Sequence, residues 1–121
     1  MRLLALASVI SLLSAAAPVL AEEGSTIATI REGLRGHLKD ATSAEIRVTK
    51  DVGHQVVASK VGKPQVGRVI CAQVNAKNGY GAYIGERPFM FILRDDGQLS
   101  IWERTGMYAD DVPVYEARCG A

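Results

Sequence analysis

The chain has almost no excess charge of either sign, few aromatic residues and only two cysteines. It carries 14 basic and 13 acidic residues, which gives a formal net charge of +1 at pH 7. Proteins that bind nucleic acids or anionic membranes rely on a clear excess of basic side chains, because attraction to many phosphates supplies much of their affinity. The near-neutral balance argues against both classes, and we predict no nucleic-acid partner.

The sequence also lacks the motifs of common metal, phosphate and redox sites. The acidic pairs Asp95-Asp96 and Asp110-Asp111 do not have the spacing of a calcium-binding loop. The glycines between Gly79 and Gly85 do not have the spacing of a phosphate-binding loop. The two cysteines do not form the C-x-x-C motif of a thioredoxin-type site. We therefore predict no catalytic residue, no metal site and no cofactor.

A long apolar stretch occurs only at the beginning of the chain. Arg2 is followed by an apolar segment, Leu3–Leu13, and small residues stand at Val19 and Ala21, before Glu22. This order is typical of a secretory signal peptide that is cut before residue 22. The apolar segment is also shorter than the roughly 20 residues that span a bilayer. We predict a signal peptide at 1–21, a single domain at 22–121 without a membrane span, and a periplasmic or secreted bacterial protein.

The two cysteines, Cys71 and Cys119, both follow the predicted cleavage point. In an oxidising compartment a pair of cysteines favours one disulfide. The loop that it would close is long, and the chain-entropy estimate for such a loop is about 4 kcal/mol of stabilisation. Free thiols or metal-bound thiols are the alternatives.

Apolar residues recur every three or four positions after Ser25, which predicts an amphipathic helix that ends near Asp40. The apolar positions are Ile27, Ile30, Leu34 and Leu38. Ser25 is suited to the N-cap. Gly33 and Gly36 each weaken a helix by about 1 kcal/mol relative to Ala. Their presence favours a helix that approaches a sheet closely.

From Ala44 onward the apolar period changes to two, which predicts strands. The clearest candidates are 45–49, 66–75, 80–84, 89–93 and 99–103, and shorter or weaker ones lie at 55–58 and 112–118. A helix followed by strands that are close in sequence is typical of an α+β domain. We predict one N-terminal amphipathic helix packed on an antiparallel sheet of about five strands, with one disulfide.

The segment 69–89, VICAQVNAKNGYGAYIGERPF, is the most unusual in the chain. Its Asn78-Gly79 pair predicts a two-residue type I′ turn between two strands. The polar and aromatic residues in and beside this hairpin form a candidate binding surface, because Tyr and Arg provide large amphipathic contact areas. The candidate binding residues are Asn75, Lys77, Asn78, Tyr80, Tyr83 and Arg87. Alternatively, the two tyrosines cover the sheet edge and Asn75 caps backbone groups.

The same segment resembles a group of small exported bacterial proteins. The shared residues run from Val69 to Gly85, continue at Pro88-Phe89 and include Leu38-Lys39-Asp40 and Ser43-Ala44 upstream. The pattern of the group is LKDPxSA…vCGxvNaKNsyGgyxGxxpF, and this chain has Ala41 in place of its Pro and Ala72 in place of its Gly. The resemblance covers about half of the predicted mature chain. It implies export and a small compact domain, and it implies no activity.

These observations predict a non-enzymatic binding or interaction module of the cell envelope, whose partner is an envelope protein, a glycan or a small ligand. One alternative is a small hydrolase that uses surface carboxylates such as Glu86 and Glu103. A cysteine nucleophile, Cys71 with His37 or His54, would require a reduced thiol. A passive structural component of the envelope is a further alternative. The sequence leaves the oligomeric state open.

Overall fold

The computed structural model describes residues 16–59 and 62–120 of the chain. They form an antiparallel sheet with one helix before it and another after it. The elements are α1 Ala16–Leu34, β1 Glu45–Val57, β2 Gln65–Lys77, β3 Tyr83–Arg94, β4 Leu99–Glu103 and α2 Val112–Cys119. The strands lie in the order β1-β2-β3-β4, so each one pairs with its neighbour in sequence. The α+β class is confirmed, but the described sheet has four strands rather than about five.

The strand count differs because bulges hide the continuity of two strands. The predicted pieces 45–49 and 55–58 are parts of β1, whose pairing with β2 shifts between Val48 and Lys50 and again between Asp51 and Gly53. The predicted strand 89–93 and the last two residues of the predicted strand 80–84 belong to β3, and the chain does not reverse between them. Residues 80–82 lie in the preceding loop. An extra residue in a strand interrupts the two-residue alternation without ending the strand. The sequence pattern alone therefore breaks each strand in two.

The predicted strand at 112–118 is wrong, because this segment is the helix α2. The apolar alternation of Val112 and Val114 suggested a strand, but Pro113 occupies the first turn of the helix, where its missing N–H costs nothing. Tyr115 is buried in contact with the sheet, and Val114 packs beside it. A tail at the end of the chain thus covers a face of the sheet instead of extending it.

The first helix begins and ends earlier than predicted. It starts at Ala16 rather than after Ser25, and it stops at Leu34, where two backbone N–H groups, those of His37 and Leu38, donate to the Leu34 carbonyl. The predicted cleavage point between residues 21 and 22 therefore lies within α1, while residues 1–15 of the predicted signal lie outside the described residues. Neither described helix combines the length and the apolar character that crossing a bilayer would require.

The sheet buries both of its faces. On one face Ile30 and Leu34 of α1 pack against β2 and β3. The core on this face consists of Ile30, Leu34, Ala41, Ala44, Ile70, Ala72, Val74, Phe89 and Phe91. On the other face the core consists of Val57, Val69, Met90, Ile92 and Tyr115. The alternation predicted for β2 is therefore confirmed, since its even-numbered apolar residues face α1 and Val69 faces α2.

Gly33 brings α1 close to the sheet. A Cβ added at this position would overlap the side chain of Leu99 in β4. Gly36 has open space around it, so only the first of the two glycines is explained by close packing.

The predicted disulfide is confirmed. Cys71 in β2 and Cys119 at the end of α2 are bonded, their Cα atoms are 5.6 Å apart, and their sequence separation is 48 residues. The bond joins α2 to β2, one of the two strands that lie inside the sheet. It holds Tyr115 and Val114 against the face that α1 does not cover.

Replacing Cys119 with Ser is expected to lower the free energy of unfolding by about 4 kcal/mol, because the unfolded chain loses the constraint of a long closed loop. The measurement is urea denaturation of the wild type and of the variant, each followed by circular dichroism. Amide hydrogen exchange should also accelerate in α2 before it accelerates in β2. Equal urea midpoints for the two proteins would show that the disulfide does not stabilise the packing of α2 on the sheet.

Arg68 of β2 connects α1 to the sheet through hydrogen bonds. Its guanidinium donates to the Asp51 carboxylate of β1, with Nε 3.1 Å from Oδ2, and to Thr26 Oγ1 of α1 at 3.0 Å. Thr26 is buried although it is polar, so this hydrogen bond satisfies its hydroxyl. The hydrogen bonds from Arg68 lower the pKa of Asp51 below its ordinary value of 3.8.

Acid is therefore expected to weaken the link between β1 and Arg68. Because the pKa of Asp51 is lower in the folded state than in the unfolded state, the interaction stabilises the fold above about pH 4 and is lost as the pH falls through the folded pKa. NMR titration of the Asp51 carboxyl carbon should give a midpoint below 3.8. In an Arg68→Gln variant the midpoint should return to the ordinary range, and a midpoint that stays low would exclude Arg68 as the cause.

Candidate binding site at the β2–β3 hairpin

The chain reverses at the predicted place, but the predicted turn type is wrong. Asn78 N donates to Ala82 O at 2.8 Å, and Gly81 N donates to Asn78 O at 3.0 Å. A type I′ turn needs positive φ at Asn78 and Gly79, whereas within this loop only Gly81 has a positive φ, of 80°. The hairpin therefore has a three-residue loop in which the left-handed residue comes last. The Asn78 side chain supports the loop by accepting from Tyr80 N at 2.9 Å and from Ala82 N at 3.1 Å.

A bulge interrupts the hairpin stem just below the loop. Asn75 pairs with Glu86 and Lys77 pairs with Tyr83, so Ala76 faces two residues of β3, Ile84 and Gly85. Gly85 has a φ of 99°, and its N–H donates to Asn75 Oδ1 at 3.0 Å. Bulges change the direction in which neighbouring side chains point. This one places Ile84 at the edge of a recess in the face that α1 partly covers.

The stem is also held by the segment between α1 and β1. Tyr83 donates its hydroxyl to Ser43 O at 2.9 Å, and Lys77 Nζ lies 5.2 Å from the centre of the Tyr83 ring. The segment is in turn ordered by Arg31, which donates to the carbonyls of Ala41 and Ala44 at 2.8 and 2.7 Å. Arg31 of α1 therefore supports the site through this segment.

Asp40 adds a fixed negative charge to the same segment. Its carboxylate accepts from the hydroxyl and from the backbone N–H of Ser43, at 2.5 and 3.2 Å. These hydrogen bonds, together with the positive charge of Lys77, lower the pKa of Asp40 below its usual range. The Asp40 carboxylate therefore carries a negative charge at neutral pH in the folded protein.

The recess beside the hairpin has a volume of about 190 Å³. Five apolar side chains and three polar ones at the rim line it: Leu38, Val74, Ala76, Ile84 and Phe89, with His37, Arg87 and Glu103. The residues come from the turn that follows α1, from the two central strands and from β4. β3 continues past the end of β4, so the edge of β3 at Arg87 has no neighbouring strand on the β4 side.

The polar rim of the recess is a connected set of three side chains. Glu103 Oε1 accepts from Arg87 Nη1 at 3.2 Å, and Glu103 Oε2 lies 3.5 Å from His37 Nε2. The His37 ring meets Phe89 edge-on, with ring centres 6.1 Å apart. Glu103 keeps about a quarter of its side-chain surface exposed, 24%. Both a hydrogen-bond donor and an acceptor therefore face the opening.

The six residues predicted to bind have three kinds of environment. Asn75, Asn78 and Tyr83 make hydrogen bonds that shape the hairpin itself. Tyr80, at the tip, is 99% exposed, and Arg87 belongs to the rim of the recess. Lys77 lies over the Tyr83 ring.

Sequence reasoning missed Ile84, which is 49% exposed at the mouth of the recess. Gly85, the next residue, was the available signal, because an isolated glycine in a strand often marks a bulge.

The alternative catalytic groups are dispersed among the described residues. Glu86 pairs with Arg47, with 3.0 Å from Arg47 Nε to Glu86 Oε1, and this contact lowers the pKa of Glu86 below its usual range. His54 pairs with Asp95 at 2.9 Å. Because Cys71 is in a disulfide, the predicted Cys–His alternative has no thiolate in this structure. In the described part of the chain, no three His, Cys, Asp or Glu side chains lie close enough together to hold a metal ion.

Comparison with known proteins gave no match to a protein-family model, a curated protein or a solved structure.

Replacing Gly81 with Ala is expected to lower the free energy of unfolding by about 1 kcal/mol, because an L-residue at this positive φ is strained. Gly79→Ala is the matched control. Gly79 has no positive φ, and the nearest atom to an added Cβ would be Lys39 Nζ at 4.0 Å, so its effect should stay within about 0.5 kcal/mol. Thermal unfolding of both variants tests the loop assignment. A larger loss for Gly79→Ala than for Gly81→Ala would restore the type I′ turn.

Proposed function

We propose that this protein is an exported, non-enzymatic binding module of the bacterial cell envelope, and that its contact surface is the β2–β3 hairpin with the adjoining recess. The observation that carries the proposal is that one hairpin supplies both an almost fully exposed tyrosine, Tyr80, and two lining residues of the recess, Ala76 and Ile84. Tyrosine side chains are enriched where proteins contact partners, because they offer an apolar ring and a polar tip.

The construction of the hairpin supports a role in binding. Asn75 and Asn78 accept hydrogen bonds from backbone N–H groups of the hairpin, and Tyr83 donates one to Ser43 O, so the stem and the loop are held by specific hydrogen bonds. A surface that is ordered before the partner arrives loses less conformational entropy on binding. The exposure of Tyr80 has no such structural explanation, since its ring is outside the core and its position in the loop needs no aromatic residue.

Three features support export. The first is the signal-like composition of residues 1–21, the second is the disulfide, and the third is the resemblance to a group of small exported bacterial proteins. A disulfide that closes a long loop persists in an oxidising compartment such as the periplasm.

The rival proposal, a small hydrolase, has one supporting observation, which is the His37–Glu103 contact at the rim of the recess. Glycoside hydrolysis usually requires two carboxyl groups that flank the bond. Glu103 is the only carboxylate among the described lining residues, and Glu86 is engaged by Arg47. The arrangement of these groups therefore favours binding over hydrolysis.

Replacing Tyr80 with Ala is expected to abolish or strongly reduce the retention of an envelope component by the immobilised protein, because the exposed ring is lost while the loop hydrogen bonds remain. The retained material from an envelope extract is identified by mass spectrometry and by sugar analysis. Tyr108→Ala is the matched control, because Tyr108 is also exposed, at 72%, but lies between β4 and α2. Equal retention by the wild type and Tyr80→Ala would refute the proposed surface.

A further inference from the structure

We propose that the recess binds one neutral sugar ring of a glycan. This inference rests on the proposed binding function and specifies the chemistry of the ligand at the same site. It depends on the size of the recess, on the pairing of its charges and on the apolar character of its walls.

The volume limits the occupant to one small group. Pockets for drug-sized ligands typically measure roughly 300–1,000 Å³. The recess, at about 190 Å³, is smaller and is open on the hairpin side, where Ile84 is half exposed. A single ring or a single side chain of a longer ligand fits this description, with the remainder of the ligand lying outside along the hairpin.

The charges at the rim favour a neutral ligand with several hydroxyl groups. Glu103 and Arg87 form an ion pair, so a charged group of a ligand that is attracted to one of them is repelled by the other beside it, and the pair as a whole favours a ligand without net charge. Only Nη1 of the Arg87 guanidinium has a protein acceptor among the described residues, and its other N–H groups can donate to a ligand. A sugar hydroxyl both donates and accepts, so adjacent hydroxyls can meet the guanidinium and the carboxylate together.

The walls suit the C–H face of a sugar. Ile84, which is 49% exposed, and the partly buried Leu38 provide apolar surface beside the polar rim. Val74 and Phe89, each 2% exposed, form the buried floor of the recess. An apolar amino-acid side chain would contact the same walls, but it would cover Arg87 and Glu103 without offering them hydrogen bonds, which is costly. A ring with one apolar face and a hydroxyl edge satisfies both parts of the recess.

The test is an NMR titration of the ¹⁵N-labelled protein, purified after export, with four probes. Three are neutral trisaccharides, namely triacetylchitotriose, cellotriose and maltotriose, and the fourth is the acidic trigalacturonate. At least one neutral probe is expected to cause saturable shifts in the amides of Ile84, Arg87 and Glu103. Trigalacturonate should bind more weakly than that probe.

Two substitutions separate a sugar site from a general effect on the fold. Arg87→Ala and Glu103→Gln should each weaken binding of the neutral probe by about tenfold or more, the loss expected for one charge-assisted hydrogen bond. Arg94→Ala is the matched control, since Arg94 is on the same strand but pairs with Asp96 at the opposite end. It should leave the affinity unchanged. The amide spectrum of each variant shows whether it is folded.

Three outcomes would overturn the sugar proposal: no shift in the recess with any neutral probe, equal or tighter binding of trigalacturonate, or unchanged affinity in folded Arg87→Ala and Glu103→Gln. If these occur while Tyr80 is still required for retention of an envelope protein, the binding function stands and only the ligand class is wrong. If the neutral probe binds in the recess but Tyr80→Ala retains the envelope component normally, the recess is a sugar site and the proposed wider surface fails.

Discussion

The covalent bond between Cys71 and Cys119 determines how the second half of the chain is arranged. It anchors α2 to an interior strand of the sheet, so Tyr115 covers a face that α1 cannot reach. Met90 and Ile92 are fully buried, and without Tyr115 of α2 packed on this face they would be exposed to solvent. A sheet of four strands with both faces covered has two small cores rather than one, and the disulfide compensates for the limited area that each core buries.

The hairpin depends on this arrangement, because it is the free end of two strands that both cores hold in place. β2 and β3 are buried through their middle residues, β3 is exposed from Arg87 back to Tyr83, and the two strands end at Lys77 and Tyr83. The backbone beyond that point is ordered by local hydrogen bonds, chiefly those of the two asparagines, Asn75 and Asn78. A rigid stem with an exposed tip is a suitable support for a binding surface.

The bulge at Gly85 links the backbone to the chemistry of the site. If β3 had no extra residue, alternation would move Ile84 away from the face that contains Val74 and Phe89. One residue in a left-handed conformation, held by Asn75, therefore places an apolar side chain at the opening of a recess whose rim carries Arg87 and Glu103.

The sequence by itself determined the α+β class, the disulfide, the alternation of β2 and the place where the chain reverses. Each of these follows from short-range periodicity or from a count of residues, namely apolar spacing, two cysteines and an Asn-Gly pair. It also indicated the hairpin residues, although three of them serve the hairpin itself.

Only the tertiary structure decided the rest. The segment 112–118 is a helix because burial of Tyr115 and the bond to β2 outweigh a weak alternation. The two bulges of β1 depend on its register with β2 and the bulge of β3 on hydrogen bonding to Asn75, which local patterns do not specify. The recess joins residues as far apart in sequence as His37 and Glu103. Such a contact depends on how α1 lies on the sheet, and therefore on packing over the whole fold.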